Sequence, residues 1–282
     1  MTNITPAMIK ELREATGVGM RKCKNALVES GGDVQKAIDI LRKAGMASAV
    51  KKEGRATKEG LIGTAEDNST LVIVEANAET DFVVQNEKFG QFVHELCAQA
   101  LDKKPASLED FLNEPYIKDP SITIEQSRNL MVQSFGENVI IKRLAILPKT
   151  SDSSIGVYSH MGGKIVCVVE LAGASGLEEL AKSIAMHVAA EAPEYLTPND
   201  VPQDVKEREE DIAKAQVKGK PENMIDKIVA GKYKAFCDQT CLVSQKYIKD
   251  NSKTVEAVVA EEAKKLGKDV TIKSFIRWQV GV

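Results

Sequence analysis

Along the first 50 residues, apolar side chains recur every three or four positions in three short runs, which predicts three helices. The positions that recur at helical spacing are Ile9, Leu12 and Thr16, then Met20, Cys23, Ala26 and Leu27 on one face, then Val34, Ala37, Ile38 and Leu41, which are predicted to face inward. Thr5-Pro6 and Asp33 have the chemistry of helix starts. Gly17-Val18-Gly19 separates the first two runs, and Gly45 is expected to end the third helix. The pattern predicts a compact three-helix module.

Residues 57–149 mix the two periodicities of strand and helix. Leu61-Ile62-Gly63 and Leu71–Val74 are strand-like runs on either side of a polar turn, which predicts a β-hairpin. Apolar residues then recur at helical spacing, and a further apolar run closes the segment. The elements predicted after the hairpin are a helix at Asn86–Leu101, loop with short helical pieces at Pro105–Pro120, a helix at Ser127–Phe135 and a strand at Val139–Leu147.

The pattern of residues 57–149 returns later in the chain. Val72-Ile73-Val74-Glu75 is echoed 95 residues further on by Cys167-Val168-Val169-Glu170, followed by a predicted helix at Glu178–Glu191. Gly136-x-x-Val139-x-Ile141-Lys142 is echoed 131 residues further on by Gly267-x-x-Val270-x-Ile272-Lys273. The growth of the offset indicates an insertion of about 36 residues in the second copy.

The insertion is densely charged and has only sparse apolar positions. We predict two helices around a break at Gly219-Lys220-Pro221, forming an αα-hairpin over residues 203–240. Such a hairpin buries little within itself, so it is expected to pack on a partner or a second copy. The second copy then resumes with a predicted helix at Thr254–Leu266 and a last strand that includes Ile272–Val280.

These patterns predict an α+β fold built from segments of distinct character. The predicted divisions are a three-helix module with its linker (Lys51–Arg55) at 1–56, a core subdomain at 57–149, a second core subdomain at 150–202 and 241–282, and the helical hairpin at 203–240. The two core subdomains are predicted to be related, each built on an antiparallel sheet.

Charge separates the first module from the rest. The whole chain of 282 residues has 38 basic and 41 acidic side chains, and its net charge of −3 argues against nucleic-acid binding along its length. Residues 1–56 nevertheless carry a net charge of +5, which suits an acidic docking surface. No apolar run is long enough for a membrane span, and no leader marks secretion. Five cysteines without a C-x-x-C pair favour free thiols, so we expect a cytoplasmic protein.

Candidate catalytic chemistry is sparse. Two of the three histidines, His94 and His187, fall on helical patterns, and none forms a zinc motif. Cys237 and Cys241 have no second ligand pair nearby in the sequence. Gly162-Gly163-Lys164 lacks the remaining residues of a phosphate loop and is better explained as a turn between strands. We therefore expect an interaction protein without cofactor, metal or enzymatic activity.

A loop at residues 77–86 breaks the polar pattern expected at the end of a strand. It places Phe82, Val83 and Val84 together, beside Asp81. One interpretation is a hydrophobic staple, in which Phe82 or Val84 packs on the following helix. The other is an exposed aromatic wedge with an adjacent carboxylate, aimed at a partner.

Four motifs together resemble the family of bacterial translation elongation factor Ts. They span nearly the whole chain in the family's order. They are Glu79-Thr80-Asp81-Phe82-Val83, Leu12-Arg13-x-x-Thr16-Gly17-x-Gly19-Met20-x-x-Cys23-Lys24-x-Ala26-Leu27, Ala185-Met186-His187-Val188-Ala189-Ala190 with Pro193, and Phe275-Ile276-Arg277.

The resemblance implies a guanine-nucleotide exchange factor for the GTPase elongation factor Tu. It implies a ubiquitin-associated (UBA)-like first module, two related core subdomains, and a hairpin that makes a homodimer, a 2:2 complex or a partner contact. The residues that it assigns to displacing magnesium from the partner are Thr80, Asp81, Phe82 and Val83, with Phe82 as the wedge. Those that it assigns to docking are Arg13, Met20, Lys24 and His160.

This chain departs from the family's pattern at two places, one within those motifs and one directly before Glu79. Arg21 and Lys22 stand where the family usually has a second methionine and an aspartate, which leaves Met20 as the apolar anchor. Ala78 replaces the family's cysteine at the strand end.

Three other function classes compete with the exchange factor. The first is a ubiquitin-associated-type adaptor that binds a ubiquitin-like or peptide partner, which the Gly19-Met20 loop favours. The second is a nucleic-acid binder acting through the basic first module, against which the scarcity of aromatic residues there counts. The third is an enzyme, for which no active-site constellation is present in the sequence.

Overall fold

The computed structural model describes residues 4–217 and 222–282 and shows an α+β fold, as predicted. The predicted break at Gly219-Lys220-Pro221 lies outside the described residues. The helices are α1 (Pro6–Thr16), α2 (Met20–Glu29), α3 (Val34–Val50), α4 (Asp81–Val84), α5 (Glu87–Lys103), α6 (Leu108–Asn113), α7 (Ile124–Phe135), α8 (Glu178–Glu191), α9 (Gln203–Gln216), α10 (Glu222–Thr240) and α11 (Val255–Leu266).

The strands are β1 (Glu59–Glu66), β2 (Thr70–Ala78), β3 (Pro115–Tyr116), β4 (Asp119–Thr123), β5 (Val139–Pro148), β6 (Ser153–His160), β7 (Ile165–Ala172), β8 (Lys246–Tyr247), β9 (Asp250–Thr254) and β10 (Thr271–Gln279). They lie in two compact units. One unit comprises Met1–Pro148 with Gln279–Val282, and the other comprises Lys149–Trp278.

The first three helices form where the sequence predicts them. The hydroxyl of Thr5 accepts a hydrogen bond from the Met8 amide at 3.3 Å, and Pro6 opens α1. Gly17 closes α1 with a φ of +68°, a conformation that favours glycine. The hydrophobic cluster at the centre of these helices consists of Leu12, Val18, Cys23, Ala26, Leu27, Ala37 and Leu41. Met20, which the spacing places on the same helix face as Cys23 and Leu27, is exposed.

Gly45 was predicted to end the third helix, and this was wrong, because α3 continues to Val50. Gly45 is buried where α3 packs on α7. A Cβ atom added to it would lie 3.3 Å from the carbonyl oxygen of Asn129. The glycine therefore permits close packing of two helices, and Ala49, one turn further on, enters the core under the first sheet. The module boundary predicted at residue 56 stays a prediction.

The first unit is built on a three-stranded sheet in the order β1-β2-β5. Both strand pairs are antiparallel, with Leu61 opposite Ala76 and Ile73 opposite Ala145. The central strand β2 is buried along its whole length. Helices α5 and α7 cover the sheet with apolar side chains such as Phe92. The region predicted as loop with short helical pieces at Pro105–Pro120 contains one such helix, α6, and in addition β3 and the start of β4, which were not predicted.

The second unit repeats this design. Its sheet has the order β10-β7-β6, so the second strand of the copy is again central. Helix α8 packs on β6 and β7, and α11 follows the small hairpin β8–β9 as α7 follows β3–β4. Helices α9 and α10 form the predicted hairpin, and its base packs Cys237 and Cys241 against Val201.

His187 on α8 makes two polar contacts with the segment around β8, to Gln245 and to Ile248. It is fully buried, its Nδ1 accepts a hydrogen bond from the Ile248 amide at 3.2 Å, and its Nε2 lies 2.9 Å from Oε1 of Gln245. This geometry requires the neutral ring, with the proton on Nε2. Burial lowers the pKa of His187 below its ordinary value.

We expect the folded state to lose stability as the pH falls below about 6.5, the ordinary pKa of histidine. There the unfolded chain binds a proton that folded His187 cannot accept, at a cost of roughly 1.4 kcal/mol per pH unit down to the lowered pKa. Denaturant unfolding between pH 7.5 and 5.5 measures this slope. The slope should shrink in His187→Gln and persist in the control His94→Gln, because His94 is exposed. A flat wild-type profile would contradict the assignment.

Candidate partner-binding site

The side chain of Phe82 projects into solvent from the single helical turn α4, directly after β2. It is 82% exposed, and Asp81 beside it is exposed as well. The next residue, Val83, is buried, and Val84 packs partly against the same core. Of the two staple candidates, Val84 therefore contacts the core and Phe82 does not. The ring and the carboxylate are both accessible to a partner.

The loop that carries Phe82 is fixed from both sides. The carboxylate of Glu137 accepts hydrogen bonds from the Thr80 amide at 3.0 Å and from the Thr80 hydroxyl at 2.8 Å. Val83 anchors the other end of the turn in the core. The Gln85 amide donates to the carbonyl of Asp81 at 2.8 Å. Little conformational freedom remains to be lost when this loop meets a partner, which favours binding.

Glu137 was not found by the sequence analysis. It lies 57 residues from Thr80, and no motif links the two. The internal repeat offered a signal, because at the same offset of 131 residues the second copy has Lys268 where Glu137 stands. The carboxylate is therefore specific to the copy that displays the exposed ring.

Replacing Glu137 with alanine should loosen the Phe82 loop. The Thr80 amide and hydroxyl would lose their acceptor, at a cost of roughly 1–3 kcal/mol. Amide hydrogen exchange at residues 80–85 should accelerate, whereas exchange in α8 should not change. The control is Glu14→Ala, which removes an exposed carboxylate from α1. Unchanged protection of the loop in Glu137→Ala would show that Glu137 does not hold it.

Three of the four predicted docking residues meet on the first module. Arg13, Met20 and Lys24 line one apolar groove of about 350 Å³ on α1 and α2. Met20 is 61% exposed and so is available for contact. The other lining residues are Pro6, Ile9, Lys10 and Arg21. An apolar floor with four cations around it suits an apolar side chain on an acidic partner surface.

The end of α7 contacts both the groove-bearing module and the Phe82 loop. Ser134 donates a hydrogen bond from its hydroxyl to the Gly17 carbonyl at 2.8 Å. Lys22 Nζ donates to the Gln133 carbonyl at 2.7 Å. Glu137, just beyond α7, holds Thr80. Lys22 stands where the family usually has an aspartate, and here it joins the first module to α7 through a hydrogen bond.

His160, the fourth predicted docking residue, belongs to the second unit. It is exposed at the end of β6, and its ring stacks on Tyr158 with the centroids 5.9 Å apart. The predicted turn follows at Met161-Gly162-Gly163, where Met161 is 70% exposed. A groove of about 250 Å³ lies beside His160 and is lined by Met186, Ala189 and Ile248 among others.

The remaining candidate chemistry is buried. All five cysteines are free and buried, and burial raises the pKa of Cys97 and of Cys167 to about 12, so these two thiols stay protonated near neutral pH. Within residues 4–217 and 222–282, no three histidine, cysteine or acidic side chains are placed to hold a metal ion. In that same part of the chain, no helix is apolar and long enough to cross a bilayer.

Comparison with known proteins gives a consistent result over the whole chain. Residues 79–282 match the family described as Elongation factor TS. Elongation factor Ts of Protochlamydia amoebophila is 55% identical over 281 residues, which is 100% of each chain. The proteins of the same name from Chlamydia caviae and Chlamydia felis are 43% and 42% identical, again over 100% of each chain.

Proposed function

Because this chain belongs to the elongation factor Ts family, whose members act in translation elongation, we propose that it is the guanine-nucleotide exchange factor of the GTPase elongation factor Tu. The observation that carries the proposal is the exposed ring of Phe82 on a loop fixed by Glu137. A partner-facing aromatic side chain with little freedom to lose is typical of a binding hot spot.

An exchange factor must weaken the contacts by which its partner GTPase holds GDP. A GTPase holds GDP through backbone amides, a lysine and a magnesium ion that neutralises phosphate oxygens. Phe82 inserts between two helices of the GTPase domain and displaces the region that holds magnesium. Asp81 orients the loop or binds groups of the partner, while Thr80 and Val83 shape the turn. No bond is made or broken, so no acid, base or cofactor is required and the chain is not an enzyme.

Docking and wedging are separate tasks in this proposal. The groove around Met20, with Arg13 and Lys24, docks the first module on an acidic surface of the partner. His160 contacts the partner from the second unit. The helical hairpin at 203–240 serves as the arm for a homodimer or a 2:2 complex. The whole assembly acts in the cytoplasm, without a membrane and without direct contact to nucleic acid.

The proposal can be tested thermodynamically, because GDP and this chain are both ligands of elongation factor Tu and their affinities are linked. If this chain weakens GDP binding by some factor, GDP must weaken binding of this chain by the same factor. Calorimetry of purified elongation factor Tu, with and without saturating GDP, measures both affinities. We expect equal factors well above one. A factor of one in both directions, or no complex at all, would refute the proposal, and binding to a ubiquitin-like protein instead would favour the adaptor.

A further inference from the structure

The two units follow the same chain path closely enough to be compared residue by residue. The Ile124 amide donates to the Glu114 carbonyl at 3.0 Å, and 131 residues further on the Val255 amide donates to the Gln245 carbonyl at 3.0 Å. The sequence agrees, because Tyr116-Ile117-Lys118-Asp119-x-Ser121-x-Thr123 returns as Tyr247-Ile248-Lys249-Asp250-x-Ser252-x-Thr254. Each residue of α7 therefore has a definite counterpart in α11.

In the first unit, an arginine fills the space between this helix and the following strand. The guanidinium of Arg128 donates to both oxygens of the Glu125 carboxylate, through Nε at 2.8 Å and through Nη2. It also donates to the Val139 carbonyl at 2.7 Å and to the Asn129 side chain at 2.9 Å. The side chain is only 16% exposed. The first unit thus contains a complete arginine site made by its own residues.

The second unit keeps the glutamate and the valine of this site, has Ala260 in place of Asn129, and lacks the arginine. Val259 stands at the position of Arg128, while Glu256 and Val270 occupy the positions of Glu125 and Val139. An open groove of about 520 Å³ lies there. Besides these three, its lining includes Val243, Ala260 and Ile272. In the described part of the chain, the exposed carboxylate of Glu256 makes no hydrogen bond or ion pair.

We propose that this groove binds the guanidinium group of an arginine side chain presented by a partner protein. The Glu256 carboxylate accepts two hydrogen bonds from the planar guanidinium, as the Glu125 carboxylate does from Arg128. The Val270 carbonyl accepts a further hydrogen bond from a guanidinium N–H. The apolar side chains of Val243, Val259 and Ile272 cover the methylene stem. The site is independent of Phe82 and of the exchange proposed above.

The hydrogen-bonding groups of the groove favour an arginine side chain over a lysine side chain. A guanidinium offers several N–H groups in one plane, which match a carboxylate and an adjacent carbonyl together, whereas an ammonium is a point charge with strong hydration. A neutral ureido group of the same shape lacks the charge that pairs with Glu256. Selectivity for arginine against lysine and citrulline is therefore the signature of the site.

The test uses the full chain with valine methyl groups labelled for NMR and three capped tripeptides, Gly-Arg-Gly, Gly-Lys-Gly and Gly-citrulline-Gly. We expect saturable shifts of the Val243, Val259 and Val270 methyls with the arginine peptide, and at least about tenfold weaker effects with the other two. Glu256→Gln should weaken arginine binding about tenfold, whereas the control Glu262→Gln, on the same helix, should not. Equal response to the three peptides, no saturable shift, or an unaffected Glu256→Gln would overturn the proposal.

A second variant tests the site from inside the chain. Val259 is only 4% exposed and belongs to the core of the second unit. In a protein that folds, Val259→Arg should place a guanidinium beside Glu256, restore the arrangement of Arg128, and abolish peptide binding. A folded Val259→Arg protein that still binds the arginine peptide as well as wild type does would contradict the assignment. If Val259→Arg fails to fold, the surface variant Glu256→Gln decides the question, because Glu256 is exposed.

Discussion

Replacing Phe82 with alanine should slow GDP release from elongation factor Tu about thirtyfold and leave the melting temperature of this chain unchanged. The rate effect follows from the loss of an aromatic hot-spot contact worth roughly 2 kcal/mol in the transition state for release. Stability should not change because the ring is 82% exposed, so its removal leaves no cavity. Release of fluorescent GDP in a stopped-flow instrument and thermal unfolding by circular dichroism measure the two quantities.

The control for Phe82→Ala is Ile117→Ala, which removes a half-exposed apolar side chain elsewhere in the same unit. It should release GDP at the wild-type rate. A second comparison is Val83→Ala, which removes buried volume one position away and should lower stability by roughly 1–3 kcal/mol. A Phe82→Ala protein that melts earlier than wild type would show that the ring supports the fold.

Replacing Met20 with glutamate should weaken association with elongation factor Tu about thirtyfold, without slowing release at saturating concentration. The apolar anchor is lost, which costs roughly 1–2 kcal/mol, and the new carboxylate reduces the attraction of the basic groove for an acidic surface. Met20 is 61% exposed and lies beside Arg13 and Lys24, so the fold should tolerate the change. Titration of the release rate against factor concentration separates affinity from the maximal rate.

Met46→Glu is the matched control for Met20→Glu. Met46 is also an exposed methionine of the first three helices, but it lies on α3 and does not line the groove. Its substitution should leave the affinity within about threefold of wild type, since it touches no proposed contact. Equal loss of affinity in both variants would indicate a general effect of negative charge on the module, and the groove would have no special role.

Much of the fold follows from patterns that act over short distances. Helix α8 begins and ends at the predicted residues, Glu178 and Glu191, because its apolar spacing and flanking turns are both local. The strand β3 was missed because a strand of two residues carries no periodicity. Gly45 misled the prediction for a different reason: a glycine also permits close helix packing, and that use depends on α7, which lies far along the chain.

The candidate site was only partly predictable, because it too depends on contacts between residues that are distant in the sequence. The run Phe82-Val83-Val84 shows that a side chain of this loop enters the core, but not which one. The rotation of α4 decides this, and it is set by Val83 in the core and by the bonds from Thr80 to Glu137. The exposure of Met20 likewise depends on where α2 begins relative to α1. The resemblance to a family supplied the candidate residues, and tertiary contacts explain where they lie.

The most direct measurement of the central claim is the dissociation rate of labelled GDP from purified elongation factor Tu as this chain is added. We predict a rate that rises with concentration to a plateau far above the spontaneous rate, and a plateau about thirtyfold lower for Phe82→Ala. A rate that stays at the spontaneous value with the wild-type chain, or that reaches the same plateau with both chains, would contradict the proposed exchange mechanism.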